Sequence, residues 1–271
     1  MVPLALPEPF PGTRPPEEEP EPALNSPSVK TVILCGGRGT RAYPHTVEVP
    51  KPLLEVAGRP VVEHVMEIYA SQGHTEFVLT AGFKHERIAA FAGNLPRSWD
   101  VEVVDTGQDT NTGARIAYCR RLLGETFFAT YADGVGDVDL AELLDFHGSR
   151  PGSVTVTTVP LPSPYGTVEC DTDGRVQGFV EKPRLPGHWI NAGFFVIDQS
   201  AFQHWRGDDL ERTVLPSLGV AGQLYAYRHR GFWKSMDTYK DALELSALCA
   251  VTDENPDGRP PWMRSAVPAS S

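Results

Sequence analysis

The stretch Thr31-Val-Ile-Leu-Cys-Gly-Gly-Arg-Gly-Thr-Arg41 constrains this chain more than any other. A short apolar run drives straight into a glycine-rich loop and ends in basic side chains. The run reads as a strand, a rigid base. Gly36, Gly37 and Gly39 remove side chains, so backbone N–H groups can approach an anion closely. Arg38 and Arg41 add permanent charge in a planar fork that suits phosphate. Ten residues on, Val49-Pro-Lys-Pro-Leu53 stiffens the backbone on both sides of Lys51. The combination reads as a seat for a triphosphate.

Two other phosphate loops are excluded. Gly37-Arg-Gly-Thr-Arg-Ala42 fits the dinucleotide fingerprint G-x-G-x-x-A, but that fingerprint opens a helix. Here Tyr43-Pro44 follows, then Pro50 and Pro52, which oppose a helix. No Gly-Lys-Ser/Thr closes the loop, so it is not a P-loop.

With 271 residues, 41% hydrophobic and 22% charged, the chain has the make-up of a globular α/β protein. No apolar run reaches the ~20 residues of a membrane span. The N-terminus lacks the basic-then-apolar pattern of a secretory signal. A net charge of −11 argues against nucleic-acid binding, so an anionic nucleotide needs a local basic cluster. Cys35, Cys119, Cys170 and Cys249 are scattered without metal or redox spacing, which points to a reducing cytoplasm.

Residues 1–28 carry nine of the 25 prolines and five glutamates against one arginine, and are expected to be a disordered extension. The proline-bearing stretch 252–271 reads as a loose tail. Between them, residues 29–251 form one domain with two halves. In 29–150, strands at Val29–Cys35, Glu76–Thr80, Val101–Val104 and Thr126–Tyr131 alternate with helices. The helices are Pro60–Gln72, Lys84–Ala92, Gly113–Leu123 and Val138–His147. In the third helix Ile116, Cys119, Leu122 and Leu123 are expected to point inward. Such alternation predicts a mostly parallel sheet covered on both faces, with its site at the carboxyl ends of the strands. In 151–251 the strands Val154–Val159, Gly166–Cys170, Val176–Glu181 and Trp189–Ile197 dominate. Asp173-Gly174 marks a hairpin turn. Helices Ser200–Trp205 and Asp209–Leu218, strand Leu224–Arg228 and helix Thr238–Cys249 follow. This half is expected to form a β-rich lid or acceptor pocket.

Asp133 lies in a strand-to-loop break between Ala132 and Gly134, and Asp237 lies far away in sequence. Taken singly, each aspartate reads as a turn or helix-cap residue; as a pair, two carboxylates from separate segments could share one Mg²⁺, which accepts few protein ligands and keeps waters and phosphates as the rest. Asp137 and Asp139 read as first-turn helix residues. Lys182, in Glu181-Lys-Pro183, is a second candidate phosphate clamp; equally, it could belong to a solvated Glu–Lys turn. Tyr165, Gly166, Glu181, Asn191 and Gly193 supply the phenol, carboxylate, amide and backbone openings that a hydroxyl-rich ligand needs. Thr112 and Gly113 could meet a nucleobase edge; equally, Thr112 could be a helix cap. The eight histidines show no ligand spacing.

Six segments then fall into one order. Leu34-Cys-Gly-Gly-Arg-Gly-Thr-Arg41, Pro50-Lys-Pro52, Tyr131-Ala-Asp-Gly-Val-Gly-Asp137, Glu181-Lys-Pro183, Asn191-Ala-Gly-Phe-Phe195 and Gly231-Phe-Trp233 with Met236-Asp-Thr238 resemble the sugar-phosphate nucleotidylyltransferases. Asp105-Thr-Gly107, Thr112-Gly113 and Gly231-Phe-Trp233 are similar to the glucose-1-phosphate cytidylyltransferase branch. The resemblance spans about residues 29–250. It implies a Rossmann-like, mostly parallel mixed sheet of the nucleotide-diphospho-sugar transferase type. It also implies in-line attack of a sugar 1-phosphate on the α-phosphorus of a nucleoside triphosphate, CTP by resemblance, with pyrophosphate leaving. Carried over by residue, Gly36, Gly37, Gly39 and Thr40 would cradle the nucleotide and Arg41 would neutralise pyrophosphate. Lys51 would hold the α-phosphate region, and Thr112 and Gly113 would face the base. Asp133 and Asp237 would bind Mg²⁺. Lys182 would hold the sugar phosphate, with Tyr165, Gly166, Glu181, Asn191 and Gly193 lining the sugar pocket. A homo-oligomer is implied as well. Ala132, Arg38 and the segment Ala42–Val49 depart from the branch pattern, which leaves the base and the sugar open.

Overall fold

The computed structural model describes residues 28–263, so the expected extension at 1–28 falls almost wholly outside the described residues, as do residues 264–271. The apolar run before the glycine loop is β1 (Thr31–Leu34), an inner strand of a seven-stranded sheet. Val32 and Ile33 are both fully buried, one toward each face. That is why the run is continuous rather than alternating. The chain adds a small hairpin, β2 (Glu55–Val56) and β3 (Arg59–Pro60), then α1 (Val61–Ala70), β4 (Glu76–Ala81), α2 (His85–Ala92) and β5 (Asp100–Asp105). It then crosses through α3 (Thr112–Cys119) to β6 (Thr126–Tyr131) on the other side of β1. Next come β7 (Gly134–Gly136), α4 (Leu140–Gly148), β8 (Val154–Pro162), β9 (Thr167–Cys170), β10 (Val176–Val180) and β11 (Arg184–Asp198). The remaining elements are α5 (Leu215–Val220), β12 (Leu224–Arg228), β13 (Trp233–Ser235) and α6 (Tyr239–Leu248).

The sheet order is β12-β8-β11-β6-β1-β4-β5, and only β11 runs against the others. The mostly parallel sheet read from the alternation is therefore observed, and it is mixed, as the resemblance implies. α1, α2, α4 and α6 cover one face and α3 and α5 the other, each over its own apolar cluster. β1 leads outward to β4, and the chain returns to β6 on its opposite flank, so a crevice opens beyond the carboxyl ends of β1 and β6. This is where ligands bind in open α/β sheets. Among the described residues no helix is long and apolar enough to cross a membrane.

Two local expectations are corrected. α3 stops at Cys119 and passes into a 3₁₀ turn over Arg120–Leu122. The change of period turns Leu122 outward, to 36% exposure, while Ile116, Cys119 and Leu123 stay inside. The second correction concerns the tail. The stretch from Thr252 is not loose as far as Met263, because Trp262 is 1% exposed in the main apolar cluster. It stands edge-on to His64 at 5.5 Å and tilted against Phe232 at 5.9 Å. Trp262→Ala should lower unfolding stability in urea by about 3–5 kcal/mol, the usual cost of emptying a large aromatic site.

Candidate active site

The glycine loop follows β1 directly, and no α-helix opens behind it. Only a 3₁₀ turn over Thr40–Ala42 forms, as the prolines dictate. Gly39 sits at φ +62°, and a Cβ there would lie 2.6 Å from Lys51 Cβ. Glycine is thus required both by the backbone angle and by the packing of the loop on the Pro-Lys-Pro turn. That turn is a 3₁₀ turn over Lys51–Leu53, with Lys51 buried and aimed into the crevice.

Lys51 Nζ donates to Asp133 Oδ2 at 2.5 Å and to Asp237 Oδ1 at 3.2 Å. Arg41 also reaches Asp237 Oδ1, at 3.0 Å. Two carboxylates separated by more than a hundred residues therefore meet on one cation beside the glycine loop. A pairing that the sequence does not advertise brings them together. β7 and β13 form an antiparallel ribbon, with Gly134 opposite Ser235 and Gly136 opposite Trp233. Asp133 immediately precedes the first strand and Asp237 comes two residues after the second, and Met236 N donates to Asp133 O at 2.8 Å. The glycines allow this: a Cβ on Gly136 would lie 3.0 Å from Phe232 O. Asp237 is fixed from behind as well. Its N–H donates to Asp241 Oδ2 at 3.1 Å, the same carboxylate that closes the capping box with Thr238 at the start of α6.

Both Asp133 and Asp237 fit a divalent cation with few protein ligands. They converge on one positive charge, and among the described residues no group of three or more His, Cys, Asp or Glu forms a fuller cage. Two carboxylates with the remaining positions open to water and phosphate suit Mg²⁺ rather than a closed structural metal.

The loop has a support that the sequence reading missed. Arg115, on α3, is buried, and its guanidinium donates to Ala81 O (3.0 Å), Thr106 Oγ1 (2.5 Å), Gly36 O (3.2 Å) and Gln108 O (3.3 Å). It joins the ends of β1, β4 and β5 from below. A Cβ on Gly36 would overlap it at 2.0 Å, so Gly36 is glycine to admit this arginine. Burial pushes the Arg115 pKa down, opposed by Cys35 and Asp105, and no carboxylate pairs with it within 4 Å among the described residues. The only available signal was a lone arginine among the apolar positions of a helix.

The resulting cleft has a volume of ≈ 870 Å³, near the upper end of ligand pockets at about 300–1,000 Å³. Gly36, Gly37, Gly39, Arg41, Lys51, Asp133, Asp237, Thr112 and Asn191 wall it. Other expected site residues stand elsewhere. Thr40 is exposed and does not line it. Gly113 is buried against the next segment, where a Cβ would lie 2.9 Å from both Asp208 O and Val214 Cγ2; it serves packing rather than a base. Asn111 holds the cap position of α3, while Thr112 is its first residue. Gly193, at φ +81°, backs onto the Tyr131 ring, which a Cβ would meet at 2.4 Å. Tyr165, Gly166, Glu181 and Lys182 flank the β9–β10 ribbon, which among the described residues pairs with no other strand. None of the four walls the cleft. Lys182 is 66% exposed, with Glu181 3.9 Å away. Asp139 caps α4 by accepting from Glu142 N. Asp137 lies before the helix and pairs with His229 at 2.9 Å.

The family model for nucleotidyl transferases matches residues 30–249. This chain belongs to that family. The resemblance to the sugar-phosphate nucleotidylyltransferases therefore holds. The "Probable glucose-1-phosphate cytidylyltransferase" of Bacillus subtilis (strain 168) is 36% identical over 245 residues, 81% of this chain and 96% of that protein. The glucose-1-phosphate cytidylyltransferase of Salmonella typhi is 32% identical over 260 residues, 86% of this chain and 98% of its own length. Mannose-1-phosphate guanylyltransferase 1 of Arabidopsis thaliana is 34% identical over 226 residues, 79% of this chain and 62% of that protein. The crystal structure of HddC from Yersinia pseudotuberculosis shares the fold, with a TM-score of 0.63 at 21% identity, covering 81% of this chain and 98% of that one. The cleft offers cations, backbone N–H groups and two carboxylates, which suit positioning and charge neutralisation.

Proposed function

We propose that this nucleotidyl transferase joins CTP to glucose 1-phosphate, giving CDP-glucose and pyrophosphate. The observation that carries the reading is the meeting of Asp133, Asp237, Lys51 and Arg41 beside the glycine loop. The base and sugar are carried over from the cytidylyltransferases of Bacillus subtilis and Salmonella typhi. In this reading the triphosphate lies along the backbone N–H groups of Gly36, Gly37 and Gly39. Arg41 faces the leaving pyrophosphate, Lys51 the α-phosphate, and Thr112 the base side. A sugar-phosphate oxygen strikes the α-phosphorus in line as the bond to pyrophosphate breaks. Asp133 and Asp237 would hold Mg²⁺, which when bound cancels charge building on the phosphates. Asn191 orients the acceptor. Lys182 reaches its phosphate only if the β9–β10 ribbon folds toward the cleft or a second copy supplies the same segment, so a homo-oligomer belongs to the proposal. A cytoplasmic location does too.

Similarity to mannose-1-phosphate guanylyltransferases supports a second reading, the same transfer with GTP or another acceptor. Pyrophosphate release should be measured with each of the four common triphosphates against glucose 1-phosphate, mannose 1-phosphate and a cyclitol phosphate, with and without Mg²⁺. The first reading expects CTP and glucose 1-phosphate to exceed every other pair by at least about tenfold, roughly 1.4 kcal/mol of transition-state preference. A higher rate with GTP would replace it by the second, and no release with any pair would refute both.

A further inference from the structure

On the acceptor side of the cleft a hydrogen-bond chain joins Asn191 and Thr112 to Tyr131 and Glu211, two residues given no role above. Gly193 N donates to Asn191 Oδ1 at 2.8 Å, which fixes which end of that amide is nitrogen. Asn191 Nδ2 donates to Tyr131 Oη at 3.1 Å. The Tyr131 hydroxyl donates to Glu211 Oε1. From the other side Leu210 N donates to Thr112 Oγ1 at 2.9 Å, and Thr112 Oγ1 donates to Glu211 Oε2 at 2.9 Å. Every hydrogen in the series has one direction, and both branches end on Glu211.

Glu211 lies in a π-helical turn over Leu210–Val214, capped by Asp209 and docked on α3 through Ala114 N to Asp208 O at 2.8 Å. Such turns insert an extra residue and re-aim one side chain. Here the turned-out carboxylate stands on the cleft wall beside Asn191 and Tyr131. No Lys, Arg or His lies within 4 Å of it among the described residues. Each Glu211 oxygen accepts one hydroxyl hydrogen bond and keeps a lone pair for a further donor. Asn191 keeps a second amide N–H. A fixed acceptor and a fixed donor side by side match the hydroxyls of a polyol, where each O–H both gives and receives. Sites built this way reject an analogue lacking one hydroxyl, because a polar group is left unpaired.

We propose that Glu211 selects the acceptor by binding a ring hydroxyl, with Tyr131 and Thr112 as positioning residues that hold its carboxylate against Asn191. This rests on the reading that the cleft takes a sugar 1-phosphate. The test is equilibrium binding by calorimetry to the full chain, using glucose 1-phosphate and its 2-, 3- and 4-deoxy analogues, with CTP binding and urea unfolding measured in parallel. The wild type should bind at least one deoxy analogue tenfold or more weakly than glucose 1-phosphate. Glu211→Gln keeps the size but presents N–H groups to donors, so it should erase that discrimination. Tyr131→Phe, which keeps the ring, should reduce it severalfold. CTP affinity and unfolding midpoint should hold in both. Retained discrimination in Glu211→Gln, or equal loss of CTP and sugar binding, overturns the role of Glu211. A wild type that binds the parent and all three analogues alike overturns it too, with the acceptor class intact. A wild type that binds no sugar 1-phosphate overturns the acceptor class itself.

Discussion

Asp133→Asn should lower kcat with Mg²⁺ at least about a thousandfold, roughly 4 kcal/mol of transition-state stabilisation, while the protein stays folded. The side chains are nearly the same size, so the argument concerns charge. Asp133 and Asp237 are the two carboxylates that meet Lys51. With one neutralised, a divalent ion keeps a single anionic ligand, and its hold on the reacting phosphates fails. Lys51 still has Asp237 at 3.2 Å, and the β7–β13 ribbon is held by backbone hydrogen bonds that the substitution leaves alone. Circular dichroism and the urea midpoint should therefore stay close to wild type. The assay is initial-rate pyrophosphate release over a Mg²⁺ titration. Turnover within tenfold of wild type would remove Asp133 from the metal site. Asp237→Asn should be nearly as damaging, with an added loss in triphosphate binding, because Arg41 is positioned by the same oxygen at 3.0 Å.

The strand run, the glycines and Lys51 were legible because each carries a local signature, whereas Asp133 and Asp237 stood out only through the segments around them. β1 is apolar on both faces, so it reads as a buried strand; the loop glycines remove Cβ atoms where backbone and Lys51 come close. The meeting of Asp133 with Asp237 was inferable only as a requirement of the chemistry. Its cause, a three-residue pairing of Gly134–Gly136 with Trp233–Ser235, is too short to leave a periodic pattern. Arg115 and Glu211 were not legible for a similar reason. One is a charged residue inside a helix and the other sits in a π-helical turn, and both matter through partners remote in sequence. Trp262 was hidden by its setting: a proline-rich tail gives no hint that one indole turns back into the core. The β9–β10 residues show the opposite failure. Motif order names Glu181 and Lys182, yet the ribbon carrying them leaves the sheet and its side chains stand in solvent.

Replacing Arg115 should cost the nucleotide site more than any other substitution away from the reacting phosphates. Arg115→Ala strands the carbonyls of Gly36, Ala81 and Gln108 together with Thr106 Oγ1. Each buried group left unpaired costs about 1–3 kcal/mol. Water entering the space offsets part of this, so a net loss of about 3–5 kcal/mol in urea unfolding is expected. Arg115→Lys separates stability from function. An ammonium retains the charge but cannot span four acceptors arranged for a planar fork. It should recover part of the stability while the loop at Gly36 and Gly37 loses its fixed shape. CTP affinity should then fall at least about tenfold, or 1.4 kcal/mol, with glucose 1-phosphate affinity unchanged. The asymmetry follows from position. Arg115 is a positive charge that among the described residues has no carboxylate within 4 Å, beneath the loop that would carry the triphosphate, so it contributes field as well as shape. Calorimetric titration of Arg115→Lys with CTP and with glucose 1-phosphate decides the matter: unchanged CTP affinity would make Arg115 a packing residue, and an equal loss for both ligands would make it a support of the whole cleft.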